Sequence, residues 1–329
     1  MPVELALQGG GSHGAFTWGV LDRLLEEERV EIAGVSGASA GAMNAVVLAY
    51  GLLDGGREGA RALLERFWTR VGEAAGFNPF AMNPFAAFFG EMMSRLASPY
   101  QLNPLNLNPL RAIVADVVDF ARLRGSEGPP VFVSATAVSS GRLHVFRRAE
   151  LDADRVMASA CLPMIFQAVE IDGEAYWDGG YVGNPALLPL VRESAAHDLV
   201  IVQINPVLRA EVPRRAQDIV DRVNEVSFNS SLVREMQTIA LMKQLIEAEG
   251  VPAHHFREPL FRQVDELRVH RIHGDADLAA FGAHTKLHAG RAQLQQLHGL
   301  GRGAADAWLE WHRRDLGRRS SVNLLDYQP

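Results

Sequence analysis

The feature that most constrains this 329-residue chain is the pentapeptide Gly37-Ala38-Ser39-Ala40-Gly41, which stands between two apolar runs. Apolar residues lead in from Ile32, and a run of small and aliphatic residues continues to Leu52. This pattern predicts a buried strand, a sharp turn and a buried helix, with Ser39 on the turn. A serine there projects from the backbone and lies at a helix N-terminus, which favours a developing negative charge. Ser39 is therefore a candidate nucleophile, and Gly37 and Gly41 allow the close packing that such a turn needs.

A glycine-rich loop follows the first predicted strand, residues 3–7, and precedes an amphipathic helix. The loop consists of Gly9, Gly10, Gly11, Ser12, His13 and Gly14. One interpretation is a dinucleotide-binding loop, which needs an acidic residue at the end of the next strand. That strand ends in Val35-Ser36-Gly37, so the interpretation is disfavoured. The second interpretation is an oxyanion hole, in which consecutive glycines let backbone N–H groups converge on one oxygen. A plain tight turn before a helix would need fewer glycines.

An unusually apolar and turn-rich insertion spans residues 77–110. Asn83 and Pro84 predict a helix start, and aromatic side chains follow at helical spacing. The aromatic residues of this insertion that are candidates for substrate binding are Phe80, Phe85, Phe88 and Phe89. The functional interpretation is a lid, an acyl-chain pocket or a lipid-contacting surface. Aromatic stripes are also typical of a helix packed on the core, which is the simpler interpretation.

Further apolar runs predict an α/β fold. Strands are expected at 131–137, 142–146, 199–205 and 267–272. A long helical stretch is expected over 214–249, with an interruption at 229–231, and two helices close the chain, the last around 304–314. Buried strands separated by helices indicate a three-layer α/β/α arrangement with a central, mainly parallel sheet. We expect a single domain over residues 1–329, because no segment has the composition of a linker.

Composition excludes several classes of protein. The net charge of −7, with no block of basic residues, disfavours a general nucleic-acid binder. One cysteine, Cys161, allows neither a disulfide framework nor a cysteine-based zinc site, and its apolar neighbours predict a buried, inert thiol. The uncharged run 32–53 is long enough to span a membrane, but the turn at Ser39 divides it. The N-terminus lacks the features of a secretory signal, so a cytoplasmic location is expected.

A third stretch lies between the predicted strands. It begins with Ala158-Ser159, continues to Pro163 and Phe166, and is followed by Asp178-Gly179-Gly180 and Asn184-Pro185. An Asp-Gly-Gly sequence by itself is a common turn. In this order and spacing, however, the glycine loop, the Ser39 pentapeptide and this stretch together resemble the patatin-like phospholipase family. The resemblance covers about residues 3–205, and no shared motif is found in the mainly helical part from about 210 to 329.

The resemblance implies a catalytic dyad in which Ser39 is the nucleophile and Asp178 the general base. Burial among aromatic residues and glycines would raise the pKa of an aspartate that is otherwise a weak base. The backbone N–H groups of Gly10, Gly11 and Ser12 are expected to form the oxyanion hole. The expected reaction is hydrolysis of an acyl ester of a lipid through an acyl-enzyme, or acyl transfer where an alcohol replaces water.

No cofactor and no metal are expected, because the sequence has no recognised metal-binding pattern, and the apolar insertion allows peripheral contact with a membrane. His13 departs from the family, which often carries Arg or Lys at this position. Three alternatives stay open at this point: an esterase with a histidine triad, a nucleotide-binding protein, and a lipid-binding protein without catalytic activity.

Overall fold

The computed structural model describes residues 1–76, 98–194, 196–209, 211–252 and 255–327. Within them, eight strands form one sheet. The strands are β1 (Pro2–Leu7), β2 (Glu31–Ala38), β3 (Val131–Ala137), β4 (Leu143–Arg147), β5 (Val169–Ile171), β6 (Glu174–Asp178), β7 (Asp198–Gln203) and β8 (Arg268–His273). The order across the sheet is β5-β6-β3-β2-β1-β7-β8, and β4 pairs with β3.

Five neighbouring strands, β3, β2, β1, β7 and β8, run parallel, whereas β4, β5 and β6 pair antiparallel at one side. Strand β1 lies between β2 and β7, and Leu7 near its end pairs with Gly37 on one side and Val202 on the other. Because parallel strands end at the same edge, the segments that follow β1, β2 and β7 meet there. These segments are the glycine loop, the Ser39 turn and the residues after Gln203.

Helices cover both faces of the sheet. They are α1 (Gly14–Glu26), α2 (Ala40–Gly76), α3 (Pro99–Leu102), α4 (Pro109–Val117), α5 (Phe120–Gly125), α6 (Ala153–Ser159), α7 (Leu188–Glu193), α8 (Ala216–Glu249), α9 (Pro259–Glu266), α10 (Asp275–Ala279) and α11 (Arg291–His312). Short 3-10 turns occupy Gly11–His13, Arg148–Glu150, Gly179–Tyr181, Ala283–Leu287 and Leu324–Tyr327. Helix α2 has non-helical backbone angles at Gly55 and Gly56, which divide it into two helical parts.

Alternation along the strands creates two hydrophobic cores. On one face, Leu5 and Leu7 of β1 share a buried cluster with residues of α1, α2 and α11, such as Phe16 and Phe67. On the other face, Ala6 lies in a second cluster with residues of α7, α8 and α9. Side chains of a strand point alternately to opposite faces, so a strand that is apolar throughout needs cover on both. The predicted fold, a mainly parallel sheet between two layers of helices, is confirmed.

The predicted strands agree with β1, β2, β3, β4, β7 and β8 to within two residues at most ends. The predicted interruption of the long helix at 229–231 is wrong, because α8 runs without a break from Ala216 to Glu249. The polar residues in this stretch are accommodated within the helix: Ser230 donates its hydroxyl to the carbonyl of Ser227 at 2.8 Å, and Asn229 bonds to residues outside the helix. The last helix, α11, begins earlier than expected, at Arg291.

The predicted helix start at Asn83 and the four candidate phenylalanines lie outside the described residues. In the described remainder of the insertion, the Asn108 side chain accepts a hydrogen bond from the N–H of Leu110 and caps α4, with Pro109 in the first turn. Among the helices of the described ranges, none combines the length and apolar character needed to cross a bilayer.

Candidate active site

Ser39 occupies the turn between β2 and α2. Its φ of 54° lies in the left-handed region, which a non-glycine residue seldom adopts. A Cβ atom on Gly37 would lie 2.3 Å from the carbonyl oxygen of Gly41, and one on Gly41 would lie 2.1 Å from that of Leu7. Any larger residue at either position would therefore push the turn off the sheet. The two glycines of the pentapeptide are required by close packing at both ends of this turn.

Asp178 is the last residue of β6 and lies opposite Ala135 of β3. Two hydrogen bonds fix the main chain of Asp178. Its main-chain N–H donates to the carbonyl of Cys161 at 2.8 Å, and its main-chain carbonyl accepts from the Thr136 hydroxyl at 2.7 Å. Its Oδ1 accepts the N–H of Gly180 at 2.7 Å. The carboxyl group is thus held at the end of the strand and aimed by the following glycine turn.

The carboxyl group of Asp178 is fully buried, and burial raises its pKa to about 7. Hydrogen bonding from the Ser39 hydroxyl and from the Gly180 N–H opposes this rise. Oδ2 of Asp178 is buried without a hydrogen-bond partner among the described residues. A carboxylate with a pKa near neutrality, beside a serine hydroxyl, is suited to accept a proton from it.

The glycines after Asp178 form the 3-10 turn Gly179–Tyr181. A Cβ on Gly179 would lie 2.0 Å from the carbonyl oxygen of Ser134, and one on Gly180 would lie 2.5 Å from the ring of Phe228. These two positions need glycine because the turn packs directly against β3 and α8.

The glycine loop lies against the Ser39 turn. A Cβ on Gly9 would be 2.7 Å from Cβ of Ser39, and one on Gly14 would be 2.6 Å from Cβ of Ala40. Among the residues that the structure describes, the N–H groups of Gly10 and Gly11 are not engaged by another backbone oxygen. The loop therefore lies beside the candidate nucleophile, and the oxyanion hole that the sequence predicts there stays a prediction.

Three comparisons with known proteins bear on these observations. The sequence model of the family described as patatin-like phospholipase matches residues 5–191, which include the loop, Ser39 and Asp178. The chain belongs to this family.

The curated relatives include uncharacterized NTE family proteins of Mycobacterium tuberculosis and Mycobacterium bovis. They are 28% identical to this chain over 201 residues, or 60% of the chain and 48% of each relative. The chain thus spans about half the length of the curated relatives it matches. Among solved structures, VipD from Legionella pneumophila superimposes with a TM-score of 0.38 at 16% identity, over 90% of this chain and 66% of VipD.

His13, where the resemblance leads us to expect Arg or Lys, is buried. Its Nε2 lies 2.8 Å from the hydroxyl of Thr285, and its ring meets Phe281 edge-on at 5.9 Å. These contacts tie the glycine loop to the C-terminal part of the chain. The dyad implied by the resemblance stays a prediction.

Sequence reasoning gave no role to several polar residues that hold the site. Ser159, at the end of α6, accepts the N–H of Ser39 at 2.9 Å. Asn184 accepts the N–H of Gly9 at 2.7 Å, and Asn205, which follows β7, donates its Nδ2 to the carbonyl of Gly9 at 2.9 Å. Ser159 and Asn184 stood within recognised motifs, which was a usable signal. Nothing in the sequence around Asn205 distinguished it.

Ser12 donates its hydroxyl to the carbonyl of Thr285 at 3.0 Å, so its side chain is used to anchor the loop and only its N–H is a candidate oxyanion donor. Cys161 is buried as predicted, with its Sγ 3.0 Å from the carbonyl oxygen of Gln167. Burial raises the pKa of this thiol to about 12, so it is not a competing nucleophile. In the described ranges, no group of three or more His, Cys, Asp or Glu residues is arranged to hold a metal ion.

Proposed function

We propose that this chain is a serine acyl hydrolase that cleaves acyl esters of lipids with Ser39 as nucleophile and Asp178 as general base. The observation that carries the proposal is a serine on a strained strand-to-helix turn beside a fully buried carboxyl group whose pKa is about 7. A serine hydroxyl is a weak nucleophile until a base accepts its proton. A base whose pKa is near the working pH performs this transfer best.

In the first half of the reaction, Oγ of Ser39 attacks the ester carbonyl carbon while its proton passes to the Asp178 carboxylate. The carbonyl oxygen becomes an oxyanion, which accepts hydrogen bonds from the N–H groups of Gly10 and Gly11, with that of Ser12 as a third candidate. The carbon–oxygen bond to the leaving alcohol then breaks, and Asp178 returns the proton to the alkoxide. The acyl group remains as an ester of Ser39.

In the second half, a water molecule attacks the acyl-enzyme carbonyl and gives its proton to Asp178. The resulting intermediate collapses, the bond from the acyl carbon to Oγ breaks, and the proton passes to Oγ. A carboxylic acid leaves and Ser39 is restored. An alcohol in place of water would give a new ester instead. Because the substrates would reside in membranes or micelles, we expect peripheral contact with a lipid surface.

The proposal is tested by labelling with a fluorophosphonate probe, read by intact mass, in parallel with hydrolysis of a short-chain ester and of phospholipid vesicles. Wild type should gain one adduct, Ser39→Ala should gain none, and Asp178→Asn should be labelled and turn over substrate about 10²- to 10⁴-fold more slowly. Ser140→Ala and Asp218→Asn change exposed residues of the same types and should behave as wild type.

Circular dichroism is recorded for every variant so that loss of activity is not confused with loss of fold. Equal labelling of wild type and Ser39→Ala would refute Ser39 as the nucleophile. Vesicle binding by folded wild type without labelling and without turnover would instead favour the non-catalytic lipid-binding alternative.

A further inference from the structure

Lys286 is one of only two lysines in the chain, the other being Lys243. It lies in the 3-10 turn Ala283–Leu287 and is half-buried. Its Nζ donates to Oδ1 of Asn205 at 2.6 Å and to Oδ1 of Asn224 at 2.8 Å, and lies 5.5 Å from the centre of the Phe228 ring. Within the described part of the chain, no carboxylate reaches it within salt-bridge distance. An ammonium group held mainly by neutral amide oxygens is costly to bury, so its position calls for a functional explanation.

Asn205 connects this ammonium to the glycine loop. A lysine ammonium only donates hydrogen bonds, so it can pair only with the oxygen of an asparagine amide. With Oδ1 of Asn205 taken by Lys286, Nδ2 is directed to the carbonyl oxygen of Gly9, 2.9 Å away. The main-chain N–H of Asn205 in turn donates to Oε1 of Gln8 at 2.8 Å. The cation thereby sets the direction of a buried chain of amides that ends on the loop.

The main chain around Lys286 also bears on the loop directly. A Cβ on Gly11 would lie 2.3 Å from the carbonyl oxygen of Lys286, and Ser12 donates to the carbonyl of Thr285 at 3.0 Å. All of Asn205, Thr285 and Lys286 lie beyond residue 191, where the family match ends. These contacts to the glycine loop therefore come from outside the region that the family model matches.

We propose that Lys286 is a positioning residue that, through Asn205, holds the glycine loop in the conformation in which the N–H groups of Gly10 and Gly11 point at the oxyanion. Its positive charge also favours the negative charge that develops beside the loop. The inference rests on the proposed function. It predicts that losing the charge of Lys286 lowers kcat more than it raises KM, since the loop contacts the oxyanion in the transition state rather than the substrate tail.

The charge of Lys286 should be lost within an accessible pH range. Burial lowers its pKa to about 8, and Glu225 and Asp221 of α8 oppose this effect. Glu225 is itself paired with Arg209 and Arg222, and His13 contacts Thr285, the residue before Lys286. If this charge positions the loop, kcat should therefore fall as pH rises above about 8.

The experiment compares full-length wild type, K286M, K286R and the matched control K243M. Lys243 lies on α8 and donates to the carbonyl of Asp265 at 2.7 Å, so K243M removes an equal charge elsewhere. Ester hydrolysis is measured from about pH 6 to 10, with fluorophosphonate labelling as a second readout. K286M should lower kcat about tenfold or more with little change in KM, a smaller loss than removal of an oxyanion donor itself. K243M should stay within about twofold of wild type.

K286R keeps the cation, because a guanidinium does not titrate in this range, and should move the alkaline decline of kcat to higher pH. A merely structural lysine would not move that decline. The inference is overturned if K286M matches K243M, or if K286R leaves the alkaline decline where wild type has it. If K286M does not fold, the K286R pH profile alone decides. If wild type neither labels nor hydrolyses, the proposed function fails, and this inference with it.

Discussion

Replacing Asp178 by asparagine should stabilise the folded protein at neutral and alkaline pH while it removes activity. Burial raises the pKa of the Asp178 carboxyl group from 3.8 to about 7 in the folded protein. The folded protein therefore binds this proton more tightly than the unfolded chain does. This contribution to stability is fully present below about pH 3.8 and is lost as pH rises through about 7. Asparagine carries no charge at any of these values, so the variant escapes the loss.

The magnitude follows from the two pKa values. At about 1.4 kcal/mol for each pH unit, the interval from 3.8 to about 7 corresponds to about 4 kcal/mol of unfolding free energy. Between about pH 5 and pH 8, about 3 kcal/mol of this should disappear, because the carboxyl group of the unfolded chain is ionised throughout this range, whereas that of the folded protein keeps its proton until about pH 7. The serine beside it and the Gly180 N–H are already included in the value of about 7.

The assay is urea unfolding of wild type, Asp178→Asn and the exposed control Asp218→Asn across this pH range. The unfolding free energy of wild type is subtracted from that of each variant at each pH, which cancels the contributions of the other titrating groups. Only the change of this difference with pH is interpreted. For Asp178→Asn the difference should grow by about 3 kcal/mol in favour of the variant, with unchanged denaturant dependence. For Asp218→Asn it should be flat. A flat difference for Asp178→Asn would refute the argument that burial keeps this carboxyl group protonated to near neutrality.

Two further predictions concern the pH dependence of activity and the packing of α11. Because Asp178 must be ionised to accept a proton, kcat/KM should fall about tenfold for each pH unit below about pH 7. A pH profile in which kcat/KM begins to fall only below about pH 5 would contradict this. On α11, a Cβ on Gly301 would lie 2.0 Å from the carbonyl oxygen of Phe16, whereas nothing lies within 4 Å of one on Gly299. Gly301→Ala should therefore cost about 1 to 3 kcal/mol, and Gly299→Ala should stabilise by about 0.5 to 1 kcal/mol through its helix propensity. Thermal unfolding of the two variants tests this prediction, which would be contradicted if both melting temperatures shifted in the same direction.

The turn at Ser39 could be predicted from sequence because its causes are local. Apolar residues before it and small residues after it specify a strand and a helix, and Gly37 must be small because the carbonyl oxygen of Gly41 lies close to it, four residues along the chain. The interruption predicted within α8 is wrong because the contacts of its polar residues are not local. The polar residues at 229–231 suggest a helix break when the sequence is read by itself. In the fold, however, Asn229 is hydrogen-bonded to the Gln8 side chain and to the carbonyls of Asn205 and Pro206, which lie far away in sequence.

The amino-acid sequence by itself determined the strand and helix order, the α/β class and the pairing of Ser39 with Asp178 as candidates, the last through family resemblance. The tertiary structure alone decided the properties that give those candidates chemical meaning. Ser159 reaches Ser39 across 120 residues, and Asn205 reaches Gly9 across 196. Dihedral preferences and hydrophobic periodicity act between neighbours in the chain. A pKa or a hydrogen-bond direction, by contrast, depends on whatever the fold brings within a few ångströms, and here that includes a lysine from the C-terminal part.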